Sequence, residues 1–126
     1  MKLVFDAGAF VALERNDRAM WRRLKSAWLA GEVPVTHGGV VGQAWRGRGA
    51  REALLARALK GVAVQALDED LGRVAGELLA VSRTRDVIDA AVVLLAEDGD
   101  RIVTSDLGDL EPLAVASGRH VELVRA

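Results

Sequence analysis

The sequence predicts an α/β fold built on a parallel sheet covered by helices on both faces. Three observations carry this. Short apolar runs of β-type alternate with longer segments of helical spacing along the 126 residues. Such strand–helix alternation requires crossover connections, which force parallel strands and bury both faces of the sheet. No repeat, low-complexity tract or linker interrupts the pattern, so one domain spanning residues 1–126 is expected.

The elements follow in order. Leu3 to Phe5 is a β-like run, and Ala9 to Leu13 reads as a first helical turn or two. Met20, Trp21, Leu24, Ala27 and Trp28 recur at three and four, predicting an amphipathic helix over 18–30 that Gly31 stops. Val33-Pro34-Val35 is a short strand, its proline placing it at a strand start or irregular edge. Helices are expected over 39–45 and 51–59, broken at Gly61, with a third strand over 62–67. Asp68 can cap a helix reaching about Val81, and Asp86 another through Ala96. Ile102-Val103 is a strand, Leu110 to Ala116 a helix, and Val121 to Val124 the fifth strand.

Composition narrows the chemistry. A chain of this size buries roughly two-thirds of its unfolded surface, and 51% of its residues are hydrophobic, so the core needs no staple. The absence of cysteine excludes disulfides and thiolate metal sites, and two histidines, His37 and His120, argue against zinc. A bound metal would be held by oxygen, which suits Mg²⁺ or Mn²⁺. The net charge of −1 gives no global attraction to nucleic acid. Arginine outnumbers lysine, which occurs only at Lys2, Lys25 and Lys60, and arginine forks match phosphate geometry. No apolar run reaches the ~18 residues of a membrane span, and the first strand runs straight into an aspartate with no signal-peptide core. A cytoplasmic protein with no membrane partner is expected.

Four aspartates stand where strands end or helices begin: Asp6, Asp86, Asp89 and Asp106. Asp6 and Asp106 directly follow strands, so both belong at the carboxyl edge of the sheet, where such folds bind ligands. Two carboxylates ~5 Å apart repel by roughly 3 kcal/mol at an effective dielectric of 20. A cluster stays ionised only in water or around a cation. Each residue also has a plainer reading. Asp6 can cap the helix that follows it, Asp106 and Asp109 can form a cap pair, and Asp86 with Asp89 can complement a helix dipole. Asp89, however, lies in the otherwise apolar run Val87 to Ala96, so it must face a polar pocket or be paired.

Gln43-Ala44-Trp45-Arg46, with Arg48 and Arg51 beyond, is either a helix end with a solvated basic face or a rim holding phosphates beside the acidic pocket. Trp21 and Trp28 read as core, or as part of a partner groove. His37 reads as a turn or cap residue, and His120 as a surface or strand-end residue. Rival α/β sites fail on residues. A haloacid-dehalogenase-type phosphatase needs an acid at position 8, which is glycine, and a phospho-receiver needs a lysine late in the chain, where none follows Lys60. There is no phosphate-binding P-loop, no dinucleotide loop and no histidine placed to serve a serine nucleophile.

The order Val4-Phe5-Asp6-Ala7-Gly8-Ala9, then Asp86-Val87-Ile88-Asp89-Ala90, then Val103-Thr104-Ser105-Asp106 with Asp109 resembles the PIN domain, specifically the VapC-type toxins of bacterial toxin–antitoxin modules. The resemblance spans essentially the whole chain. It implies a three-layer α/β/α sandwich on a five-stranded parallel sheet, metal-dependent ribonuclease activity, a homodimer, and inhibition by a small antitoxin that wraps over the toxin's helices. Carried over by residue, Asp6, Asp89 and Asp106 hold the metal, with Asp86 one turn before Asp89. The family's remaining acid, usually a glutamate, falls at Gln43, which keeps an oxygen ligand and loses a charge. The expected activity is a Mg²⁺- or Mn²⁺-dependent endoribonuclease acting as a toxin. Asp86 or Asp109 would extend the shell, and Arg46, Arg48 and Arg51 would contact RNA. Two alternatives remain: a PIN-like RNA- or protein-binding domain that does not cut, consistent with Gln43, and a housekeeping nuclease without an antitoxin.

Overall fold

Each of the five β-like runs becomes a strand in the computed structural model, which describes residues 1–126. Strand β1 is Leu3–Phe5, β2 Val35–His37, β3 Ala63–Gln65, β4 Arg101–Thr104 and β5 Glu122–Arg125. All pair in parallel, in the order β3–β2–β1–β4–β5. The chain starts at the centre of the sheet, builds outward through β2 and β3, then crosses to β4 and β5. Strand order therefore reverses between β1 and β4, which pair with Phe5 opposite Val103. A ligand crevice in such sheets lies beyond the carboxyl ends of the strands at that reversal.

Helices α1 (Ala7–Glu14), α2 (Arg18–Leu29), α3 (Gly38–Ala44) and α4 (Arg51–Leu59) form one layer around α1. Helices α5 (Glu69–Ser82), α6 (Val87–Leu95) and α7 (Leu107–Ser117) pack on one another in the second. The result is the expected three-layer sandwich. Its core runs through Val4, Phe5, Phe10, Leu13, Ile102, Val103 and Leu110, all fully buried. Phe5 and Phe10 meet edge to face, centroids 5.8 Å apart. Ala90, Ala91, Val92 and Val93 of α6 are also fully buried, which explains why its sequence shows so little polar surface.

Several boundaries differ from the sequence reading. Strand β2 begins at Val35, not Val33, and runs on through Thr36 and His37. Pro34 has no N–H to offer a ladder; its carbonyl instead accepts from Ala63 N–H at 2.8 Å. Helix α7 starts three residues earlier than its apolar spacing suggests, so Asp106 takes the N-cap position. The predicted third strand shrinks to Ala63–Gln65, an exposed edge.

The two tryptophans of α2 are used within the chain. Trp21 donates its indole N–H to Leu13 O at 3.0 Å, and Trp28 donates to Gly61 O at 2.7 Å. Gly61 lies so close under the Trp28 ring that a Cβ there would overlap it. This closes the turn between α4 and β3.

Candidate functional site

The turns after β1 and β4 meet at the strand-order reversal. Asp6 N–H donates to Val103 O at 3.1 Å, tying the end of β1 to β4. The Asp6 carboxylate is buried, and it caps α1 by accepting the Ala7 N–H. Its other oxygen accepts from the Thr104 hydroxyl at 2.7 Å. That hydroxyl also accepts the Asp106 N–H at 2.9 Å. Thr104 thus couples the two strand-end aspartates through one oxygen. Gly8 lets the turns touch, because a Cβ there would overlap both the side chain and the backbone N of Ser105. Asp106 sits at the α7 N-cap, yet its exposed carboxylate makes no capping bond. The capping explanation therefore holds for Asp6 and fails for Asp106.

Helix α6 supplies the opposite wall. Asp86 is its N-cap and accepts the Asp89 N–H at 3.0 Å, so Asp86 does serve the structural role its position suggests. Asp89 itself caps nothing. Half-buried in the first turn, its carboxyl is pushed up from 3.8 to about 7, first by burial and then by the charges of Asp86, Asp6, Asp109 and Asp106. Asp109 is also raised, first by sharing a hydrogen bond with Asp106 and then by that neighbour's charge. Asp6, Asp86, Asp89, Asp106 and Asp109 line one pocket of ≈ 330 Å³ with Gln43, Arg46 and Ser105. None of the four ion pairs in the chain reaches them.

Helix α3 brings in Gln43 and Arg46. Gln43 is exposed at the pocket wall. Arg46 donates to Gly42 O at 3.1 Å and Trp45 O at 2.9 Å, closing the helix end while its side chain lines the acidic pocket. Arg48 and Arg51 do not enter that pocket. With Arg46, Glu14 and Glu52 they line an adjoining hollow of ≈ 390 Å³. Arg46 therefore stands between an acidic and a basic compartment, and no ion pair neutralises any of the three arginines.

The donor set fits an oxygen-binding cation such as Mg²⁺ or Mn²⁺. Every candidate ligand is a carboxylate or an amide, and the raised Asp89 marks negative charge without a counterion. No three acidic or histidine side chains converge tightly enough to enclose one ion by themselves. The arrangement suits an ion held by one or two carboxylates with water completing its shell, the usual habit of Mg²⁺.

Sequence reasoning gave no part in the site to two residues that brace the elements around this pocket. Thr104 is one; a threonine ending an apolar strand two residues before an aspartate was the available signal. His37 is the other. Fully buried at the end of β2, it accepts the Gly39 N–H on Nδ1 at 3.1 Å, which leaves the proton on Nε2 to donate to Ile88 O at 3.0 Å. Burial holds it below its ordinary value, partly offset by the Ile88 carbonyl and the Asp6 charge. The cap role expected for His37 is present, and the same ring joins α3 to the start of α6.

No protein-family model matches the chain, and no curated protein matches it in sequence. Among solved structures, it is similar to one chain of the crystal structure of VapBC2 from Rickettsia felis bound to a DNA fragment from their promoter. The TM-score is 0.70 over 98% of this chain and 98% of that chain, at 11% identity. A likeness at such low identity is one of architecture. The chain shares that architecture, a PIN-like three-layer α/β/α sandwich on five parallel strands.

Proposed function

We propose that residues 1–126 form one PIN-like domain acting as a Mg²⁺- or Mn²⁺-dependent endoribonuclease, the toxin of a toxin–antitoxin pair. One observation carries the reading: five carboxylates, none with a cationic partner, share a pocket at the strand-order reversal, and one of them is raised to about 7. Structural ion-pair networks do not leave charge so poorly matched; sites for cations and catalysis do. A bound divalent cation would neutralise phosphate charge and acidify water. Asp6, Asp89 and Asp106 are its proposed ligands, one or two of them directly and the rest through water of its shell. Thr104 keeps Asp6 and Asp106 in fixed relation. Asp86 holds the first turn of α6 so that Asp89 points into the pocket. Gln43 offers a neutral oxygen, and Asp109 extends the shell beside Asp106. Arg46 meets the phosphate at the pocket wall, and Arg48 and Arg51 continue the track for the RNA backbone.

The toxin assignment and a small antitoxin partner draw support from the likeness to a chain crystallised within a VapBC2 complex; a homodimer and a cytoplasmic setting rest on the resemblance of the sequence to the PIN domain alone. No helix is long and apolar enough to cross a membrane. The test is cleavage of RNA with Mg²⁺, with EDTA, and by Asp89→Asn. Cleavage requires the cation and falls sharply in the variant. If Asp89→Asn cuts as fast as the wild type, the site is misassigned.

Gln43 favours a second reading, a PIN-like domain that binds RNA or protein without cutting, because the pocket lacks one charge there. Calorimetry with Mn²⁺ separates the two. Binding that Asp6→Asn abolishes supports the nuclease, and no binding by the wild type supports the alternative.

A further inference from the structure

A second hollow, ≈ 390 Å³, lies beside the acidic pocket, between one flank of α1 and the end of the sheet. The two share Ala7, Gly8 and Ser105, so they are continuous across the first turn of α1. Their chemistry differs completely. No acidic side chain lines the hollow. Its floor is Ala7, Val11, Ala12 and Ala126, and its polar side chains are Arg15 and Ser105. Arg15 is exposed and takes part in no ion pair. Ser105 is exposed too, and its hydroxyl is free to donate or accept.

These features match a flat ring with polar edges. An apolar floor contacts one face of a heteroaromatic ring, a guanidinium plane stacks on the other, and a hydroxyl reads its edge. A phosphate would find no use for the floor, and a cation would be repelled by Arg15. We infer that this hollow holds an unpaired nucleobase, the neighbour of the phosphate lodged in the acidic pocket. The inference rests on the nuclease reading and narrows its substrate. A base seated beside α1 has left its stack, so the nucleotide beside the cut is unpaired when bound.

The test uses a single-stranded tetranucleotide with a non-cleavable methylenephosphonate at its centre, bound in the presence of Mg²⁺. Each base is replaced in turn by an abasic ribose. In the wild type, losing one base beside the centre weakens binding roughly tenfold, and losing the others changes little. Arg15→Ala and Arg15→Lys both erase that dependence. Arg15→Lys, which keeps the charge and lacks the stacking plane, binds the abasic probe as the wild type does. Because Arg15 is exposed, both variants should fold, and their melting temperatures check this. Equal dependence on all four bases overturns the inference. So does full base dependence in Arg15→Lys, or no binding of any probe. Cleavage assays keep the two readings apart. Cleavage with no base dependence sinks the nucleobase site alone, and base-dependent binding without cleavage sinks the nuclease alone.

Discussion

Strand β4 is bracketed by aspartates, and the two ends could hardly be treated more differently. Asp100, at the amino end, is buried with everything a carboxylate wants. It accepts the Lys2 N–H at 2.9 Å and the Glu97 N–H at 2.8 Å, and the Lys2 ammonium lies 3.3 Å away. Burial works against its charge, yet these partners together hold its carboxyl below the ordinary value. At the carboxyl end, Asp106 joins Asp6, Asp86, Asp89 and Asp109 in a pocket with no cation paired to any of them, and Asp89 is driven up to about 7. The same residue type is thus a fastener at one end and a source of repulsion at the other. Stability alone has no use for the second arrangement. A binding site does, because an arriving cation recovers the repulsion.

The sharpest way to break this contrast is to neutralise one residue at each end. Asp89→Asn should lower Mg²⁺-dependent RNA cleavage by roughly 10³-fold, several kcal/mol of lost charge stabilisation. Asp100→Asn should leave the cleavage rate per folded molecule near that of the wild type. A gel assay with end-labelled RNA reads both. A comparable fall in the two variants would mean that the ends do not differ in function.

Unfolding gives the converse. Asp100→Ala strands the Lys2 and Glu97 amides and the Lys2 ammonium, and should cost about 2 kcal/mol in urea titration. Asp89→Asn removes a mismatched charge. In EDTA at pH 7 it should stabilise the fold by about 1 kcal/mol, a rise in melting temperature of ~4 °C.

The pH dependences should also oppose. The raised Asp89 favours the folded state below its unfolded value of 3.8, and that stability is lost as pH climbs towards about 7. The depressed Asp100 acts the other way. Its stabilisation is present above the unfolded value and disappears as pH falls through the folded one. Melting temperatures in EDTA between pH 4 and 7 should therefore fall less steeply with rising pH in Asp89→Asn than in the wild type. The smallest effect is at Gln43. Restoring a carboxylate with Gln43→Glu should tighten Mn²⁺ binding several-fold, about 1 kcal/mol. Unchanged affinity would place residue 43 outside the ion's reach.

Much of this contrast was legible in sequence at the carboxyl end and little of it at the amino end. Asp6 and Asp106 follow apolar runs, and in a parallel fold that alone assigns them to one edge. Asp89 stood out as a carboxylate inside an apolar helix, and it is the residue whose charge is most disfavoured. Asp86 read equally as cap or ligand, and its capping bond is present. The three arginines were read as one group; only Arg46 reaches the acidic pocket, because the chain turns away after α3 closes. Asp100 drew no notice, since its partners include Lys2, 98 residues away and brought close by β1 pairing with β4. The role of Thr104 and the bond from His37 to Ile88 escaped for the same reason. Their partners are set by strand register and helix packing, and no local pattern encodes them.

Calorimetric titration of Mn²⁺ into the protein at pH 6.5, run in two buffers of different ionisation enthalpy, tests the central claim most directly. The wild type should bind Mn²⁺ and release a fraction of a proton, because the cation displaces the one retained by Asp89. Asp100→Asn should do the same, and Asp89→Asn should bind more weakly and release none. Absence of binding by the wild type, or equal binding and proton release by Asp89→Asn, would contradict it.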